Sequence, residues 1–298
     1  DPFSLIGSWA VYSPSRGWTT KPNITNEMAF QNKVLNTNSK GIRGKIEYSY
    51  EKNPNKTRIL ILGDSFTFGS NVSDTETYPY YLQQMLPNTE IIHLVVAGYG
   101  HDPILVHLLE EGLKYHPDII LLGVGPWDKI RNLYEFFQAS KPKFSWDRDQ
   151  LVLCNFPVPS PQWFLEHEFL RSKFFDLIEV LRFEFLSKVG VVDQEANIIT
   201  NHVLDKIVYT ARKNNAEIIF VPLGHLFTGM KSFPAIKRSF DAWKNKGVSY
   251  IFIKPFPASE REEGFFPGGH FKPFVYEGIA QGIKEYLLNK NLIKKSGN

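Results

Sequence analysis

The heptapeptide Gly63-Asp64-Ser65-Phe66-Thr67-Phe68-Gly69 follows the apolar run Arg58-Ile59-Leu60-Ile61-Leu62 without a break. A short continuous apolar run closed by glycine reads as a buried strand. In a parallel α/β sheet, ligands bind at the carboxyl ends of the strands. A serine on a tight turn there, ahead of a helix, projects its hydroxyl into the cleft with its own N–H close by. That arrangement suits a nucleophile and one donor to an oxyanion. Taken alone, Ser65 reads first as a turn or N-cap residue, a position serine favours; the heptapeptide behind a strand reverses that preference. Asp64 is expected to brace the turn, and Asp64 and Asp128 are also candidates to line the pocket. His101 and Asp102 follow Ala97-Gly98-Tyr99-Gly100, and either can line the cleft or stand in water. His225 lies just past another strand, at the same edge. Asp128 and Arg131 suit an ion pair at a helix start.

The elements that must hold these residues are legible from periodicity. Continuous apolar runs at 58–62, 90–96, 119–124, 217–222 and 250–254 read as central strands covered on both faces. Helical patterns fall between them at 78–86, 103–115, 169–188, 201–213, 234–246 and 275–288. Strand alternating with helix predicts a three-layer α/β/α sandwich around a parallel five-stranded sheet. Residues 1–57 and 138–164, rich in Pro and polar residues, interrupt the alternation. Neither is large enough to bury its own core, so they read as an N-terminal extension and an insertion on one domain spanning 58–298.

Composition narrows the function. With 43% hydrophobic residues the chain can build a sizeable core, and its 34 basic against 31 acidic residues lack the clustered charge of a nucleic-acid binder. One cysteine, Cys154, rules out an intramolecular disulfide and a multi-cysteine metal site. The histidines show no HExxH spacing and the chain has no GxGxxG, so neither a metal nor a dinucleotide is expected, nor any other cofactor. No apolar run reaches the roughly 18 residues that cross a bilayer. The chain starts at Asp1 without Met. An extracytoplasmic or membrane-anchored placement, through a segment ahead of Asp1, is the expectation.

The motif Gly63–Gly69 resembles the first conserved block of the SGNH (GDSL) ester hydrolases, and the likeness runs from about residue 38 to 288. Asn71-Val72-Ser73-Asp74-Thr75-Glu76-Thr77-Tyr78-Pro79 resembles the lead-in to the first helix in a bacterial branch of that group, and the run Asn38–Gly44 resembles a lead-in seen in the same branch. Gly98 stands where the second block carries its glycine, and His270, in His270-Phe271-Lys272-Pro273, where the fourth carries its base. The resemblance implies Ser65 as nucleophile, His270 as general base, and the N–H groups of Ser65 and Gly98 as oxyanion donors. Two positions depart from the pattern. The third block's asparagine is replaced by Trp127 in Gly125-Pro126-Trp127-Asp128, so the indole N–H is the candidate third donor. The aspartate expected two or three residues before the histidine is absent, Pro267 and Gly268 standing there. The nearest upstream carboxylates are Glu262 and Glu263; a Ser–His dyad with the ring oriented by a backbone carbonyl is the alternative.

The expected activity is hydrolysis of an acyl ester, or transfer of the acyl group to an acceptor such as a carbohydrate hydroxyl, on a small-molecule or carbohydrate ester. Two other classes compete. One is a relative that kept the fold as a binding or scaffold module and lost the chemistry. The other is a flavodoxin-like binder of a phosphate-bearing cofactor, which leaves His270 unexplained.

Overall fold

Five apolar runs pair into one parallel sheet: β1 (Thr57–Leu62), β2 (Thr89–His93), β3 (Ile119–Val124), β4 (Glu217–Pro222) and β5 (Ser249–Tyr250), in the order β5-β4-β3-β1-β2. The computed structural model describes residues 7–30, 32–167, 190–224, 240–253, 263–267 and 269–293, with the single positions 181, 185, 188 and 226. Every side chain of β3 is buried, as are those from Arg58 to Leu62 in β1, because helices cover both faces. Helices among the described residues include α1 (Ser65–Phe68), α2 (Tyr78–Met85), α3 (His101–Glu110), α4 (Asp128–Arg131), α5 (Val191–Lys213) and α6 (Pro273–Asn289), with a further short one at Pro161–Glu166 in the insertion. α2 packs on α6 and α3 packs on α5, giving the expected three-layer α/β/α sandwich. The register sets Leu62 against Leu122 and Val124 against Pro222, so the loops after β1, β3 and β4 leave the sheet at one edge.

The elements differ from the periodicity in informative places. β2 ends at His93, because Leu94 and Val95 turn their N–H groups back to the Ile92 and His93 carbonyls. α3 begins at His101 and gives way to a 3-10 turn at Gly112–Tyr115, where glycine lies close against Leu60 and Leu108. α5 starts ten residues before the expected 201: Val192, Ala196 and Ile199 extend the buried stripe of Val203, Ile207 and Ala211 at helical spacing. The helices expected at 169–188 and 234–246 fall largely or partly outside the described residues. Among the described residues, no helix is long and apolar enough to cross a membrane.

The two interruptions carry hairpins. In the first segment, Ala10–Ser13 pairs with Gly17–Thr20 and Glu27–Ala29 with Lys33–Leu35. Trp9, Trp18, Leu35 and Ile42 join the same apolar cluster as the sheet, and the Trp18 Nε1–H donates to the Ala97 carbonyl at 3.0 Å. In the second, Lys143–Asp147 pairs with Gln150–Cys154.

Candidate active site

The turn after β1 is built to hold one serine. Asp64 caps α1, its Oδ1 accepting the Phe66 N–H at 3.0 Å, and Ser65 takes the first helical position. His270 arrives from the loop ahead of α6, and its Nε2 stands 3.0 Å from Ser65 Oγ. That loop is tied to itself. The Phe266 N–H donates to the His270 carbonyl at 2.9 Å, the Lys272 N–H to the Gly264 carbonyl at 2.8 Å, and Phe265 bridges Phe271. The imidazole rests on Phe66, with ring centroids 4.7 Å apart.

Among the described residues no carboxylate pairs with the His270 ring, and the exposed Glu263 is not brought to it. Its environment is nevertheless tuned. Burial holds the His270 pKa below the usual 6.5; the charge of Asp64 works against that and the charge of Arg131 with it. A histidine neutral near pH 7 with Nε2 toward a hydroxyl can accept a proton from it.

The Trp127 Nε1–H, expected as a third oxyanion donor, donates to Asp64 Oδ2, a charged and therefore strong acceptor. The indole is laid against Phe66, with centroids 4.4 Å apart, and folds over Gly125, where a Cβ would fall 2.2 Å from the ring. Asn132 is committed elsewhere: its Oδ1 accepts the His101 N–H at 2.9 Å, and its Nδ2 lies 3.0 Å from His101 Nδ1 and 2.8 Å from Thr200 Oγ1.

Asp64 and Asp128 are held by one cation. A single Arg131 Nη1 donates to Asp64 Oδ2 at 3.1 Å, to Asp128 Oδ1 at 3.1 Å and to the Tyr99 carbonyl at 2.9 Å. Asp128 is wholly buried and its Oδ2 accepts the Gly125 N–H at 2.9 Å. Burial, with Asp64 adding to it, pushes the Asp128 carboxyl well above its ordinary range. The expected ion pair at the start of α4 is present and extends to the nucleophile turn. Arg131 was foreseen only as half of that pair; nothing in its spacing from Asp64 pointed to the second contact.

Asp102 is displaced from the expected pocket. It is fully buried against the equally buried Lys141 Nζ, at 2.9 Å, and so anchors the insertion to the first turn of α3. His101 lines a cavity of about 560 Å³ with Gly125, Thr200, Leu204, Pro222 and Trp243, whose lining includes neither Ser65 nor His270, and burial drives its pKa down to about 3. Gly98 follows β2 in the left-handed region at φ +85°, with Trp18 and Gln138 packed where a side chain would begin. His225 lies outside the described residues. Phe66 was not singled out by its sequence. It supports both the His270 and Trp127 rings, and its only signal was an aromatic side chain directly after the serine.

No protein-family model matches the chain, and no curated protein matches it. Solved structures similar to it include a member of the lipolytic protein G-D-S-L family from Veillonella parvula, 11% identical, covering 78% of this chain and 98% of that one with a TM-score of 0.47. The chain resembles G-D-S-L proteins in fold. The esterase EstA from Pseudoalteromonas is 12% identical over 80% of this chain and 100% of that one, with a TM-score of 0.48. A family 3 carbohydrate esterase from Clostridium thermocellum is 13% identical over 79% and 96%, with a TM-score of 0.45.

Proposed function

We propose that this chain is a serine ester hydrolase or O-acyltransferase of the SGNH type, acting through a Ser65–His270 dyad on acyl esters, acetylated carbohydrate among them. The observation that carries the reading is the 3.0 Å contact between His270 Nε2 and Ser65 Oγ, made across the whole length of the sheet domain. For Nε2 to accept, the ring proton sits on Nδ1. Among the described residues the ring is then held by Phe66 and by the tied loop, with no carboxylate on it.

Ser65 Oγ attacks the ester carbonyl carbon as His270 Nε2 takes the hydroxyl proton. The oxyanion so formed is met by the N–H groups of Ser65 and Gly98. Collapse breaks the bond to the leaving alkoxide, which takes the proton from His270 and departs as an alcohol. Water, or an acceptor hydroxyl, then gives its proton to His270 and attacks the acyl-serine, and Ser65 recovers its proton as the ester opens. Hydrolysis and transfer differ only in that second acceptor. With two backbone donors rather than three, the turnover is expected to fall short of a full oxyanion hole, where one donor is worth about 10²–10³ in kcat.

The test is labelling with a fluorophosphonate read by intact mass, on the wild type, Ser65→Ala and His270→Ala. The expected result is one adduct on the wild type, none on Ser65→Ala and much slower labelling of His270→Ala. A folded wild type that takes no label refutes the catalytic reading and favours a binding module.

A further inference from the structure

The nucleophile sits on a helix of a single turn, and a single turn does not hold itself. Helix formation pays its cost in the first turn and recovers it only by propagation; α1 stops at Phe68. Its backbone must therefore be fixed from outside. Part of that comes from the sheet, where His93 Nε2 lies 3.0 Å from the Thr67 carbonyl. The larger part comes from a residue far from the motif.

Arg43 belongs to the N-terminal segment, and its side chain is only 1% exposed. Its Nη1 donates to the Phe68 carbonyl at 2.6 Å and to the Gly69 carbonyl at 2.8 Å, and Nη2 to the Val72 carbonyl at 2.7 Å. Nε donates to Asp74 Oδ1 at 2.8 Å, which orients the guanidinium. Asp74 is itself held, since its Oδ2 accepts both the backbone and the side-chain N–H of Asn36 at 2.8 Å. The planar fork thus grips the carboxyl end of the turn whose first residue is Ser65, and places a cation where the helix dipole favours one. The same turn is closed by the Gly69 and Ser70 N–H groups on the Ser65 carbonyl, at 3.0 and 3.1 Å. Two bonds therefore connect Arg43 to the nucleophile: guanidinium to the Gly69 peptide, and that stretch of peptide to Ser65.

We propose that Arg43 is a positioning residue for the nucleophile: it sets α1, and through α1 the placement of Ser65 Oγ against His270. The N-terminal segment is on this view part of the active-site scaffold as well as a cover for the sheet. The inference rests on the Ser65–His270 reading above.

The experiment compares the wild type with Arg43→Lys, Asp74→Asn and Lys33→Ala. Lysine keeps the charge but cannot reach four acceptors. Asp74→Asn releases the guanidinium from its orienting carboxylate. Lys33→Ala loosens the same segment at its ion pair with Glu76, 3.4 Å apart and away from α1. Each is measured, well below its own Tm, for kcat and KM on an aryl acetate and for the second-order rate of fluorophosphonate labelling at Ser65. In Arg43→Lys, kcat and labelling fall together by about tenfold or more, as a small misplacement of reacting groups does, while KM stays near the wild-type value. Asp74→Asn shows a smaller loss of the same kind, and Lys33→Ala labels at the wild-type rate. If the wild type does not label, the functional reading fails and takes this inference with it. If the wild type labels and folded Arg43→Lys labels equally fast, or changes only KM, the positioning role is overturned. Should Arg43→Lys not fold, Asp74→Asn decides: labelling at the wild-type rate overturns the role, and slower labelling with unchanged KM supports it.

Discussion

Replacing Asp102 by Asn leaves the Lys141 ammonium fully buried with no counter-charge, its remaining partner being the Pro142 carbonyl at 3.1 Å. Breaking a buried pair from one side costs about 3–5 kcal/mol, and for a domain of this size that lowers Tm by roughly 10 °C. In Lys141→Met the carboxyl left behind can take up a proton. Burial already holds the Asp102 pKa above its ordinary 3.8 against the opposing pull of Lys141, and the substitution removes that pull. The folded pKa of Asp102 then lies above the unfolded one, so between the two values folding takes up a proton. Stability of Lys141→Met therefore rises by about 1.4 kcal/mol per pH unit as pH falls from the folded pKa toward the unfolded one. Urea unfolding followed by tryptophan fluorescence, at pH 8 and pH 5.5, separates the two variants. The Lys141→Met deficit should be smaller at pH 5.5 than at pH 8. The double variant should lie closer to wild type than Asp102→Asn alone. An Asp102→Asn protein within about 1 kcal/mol of wild type, or a Lys141→Met deficit independent of pH, refutes the argument.

Two further outcomes follow from the site. The base must be neutral to work, and its folded pKa is lowered, so kcat/KM should rise with pH through a midpoint below 6.5. Because Asp64 raises that pKa, Asp64→Asn, which keeps the capping acceptor, should move the midpoint lower still; a midpoint at or above the free-histidine value, or a shift upward, contradicts it. Trp127→Phe removes an N–H already committed to Asp64, so kcat should fall less than tenfold, whereas loss of a true oxyanion donor costs about 10²–10³. A drop of the larger size, measured on an aryl acetate, would return Trp127 to the oxyanion hole.

The fold was legible because its signals are local. Each central strand is a continuous apolar run, as at Ile119–Val124, and each helix a stripe of fixed period, as in α6. Even the late start given to α5 was an error of threshold, since Val192, Ala196 and Ile199 carry the same spacing as the rest of the helix. The turn that carries Ser65 was legible for a related reason: strand, glycine, capping aspartate and serine are consecutive, so their geometry is set within seven residues. His270 was legible by its place before α6, although its distance from Ser65 is a property of the folded chain alone.

What could not be read is which polar group captures which partner. Asp64, Asp102 and Asp128 are chemically equivalent in the sequence, and each was a candidate for the cleft. Burial assigns them differently: Asp102 meets Lys141, while Asp64 and Asp128 share Arg131. A buried carboxylate without a cation is costly, so the cations decide, and their positions depend on where the insertion and the turn after β3 come to rest. The same competition explains Trp127. An indole N–H in the third-block position is a plausible oxyanion donor until a carboxylate lies within reach, and Asp64, fixed one residue before the nucleophile, does. The Trp127 indole thus ties the turn after β3 to the turn after β1. In this chain the turn after β1 and the turn after β3 are joined through Asp64.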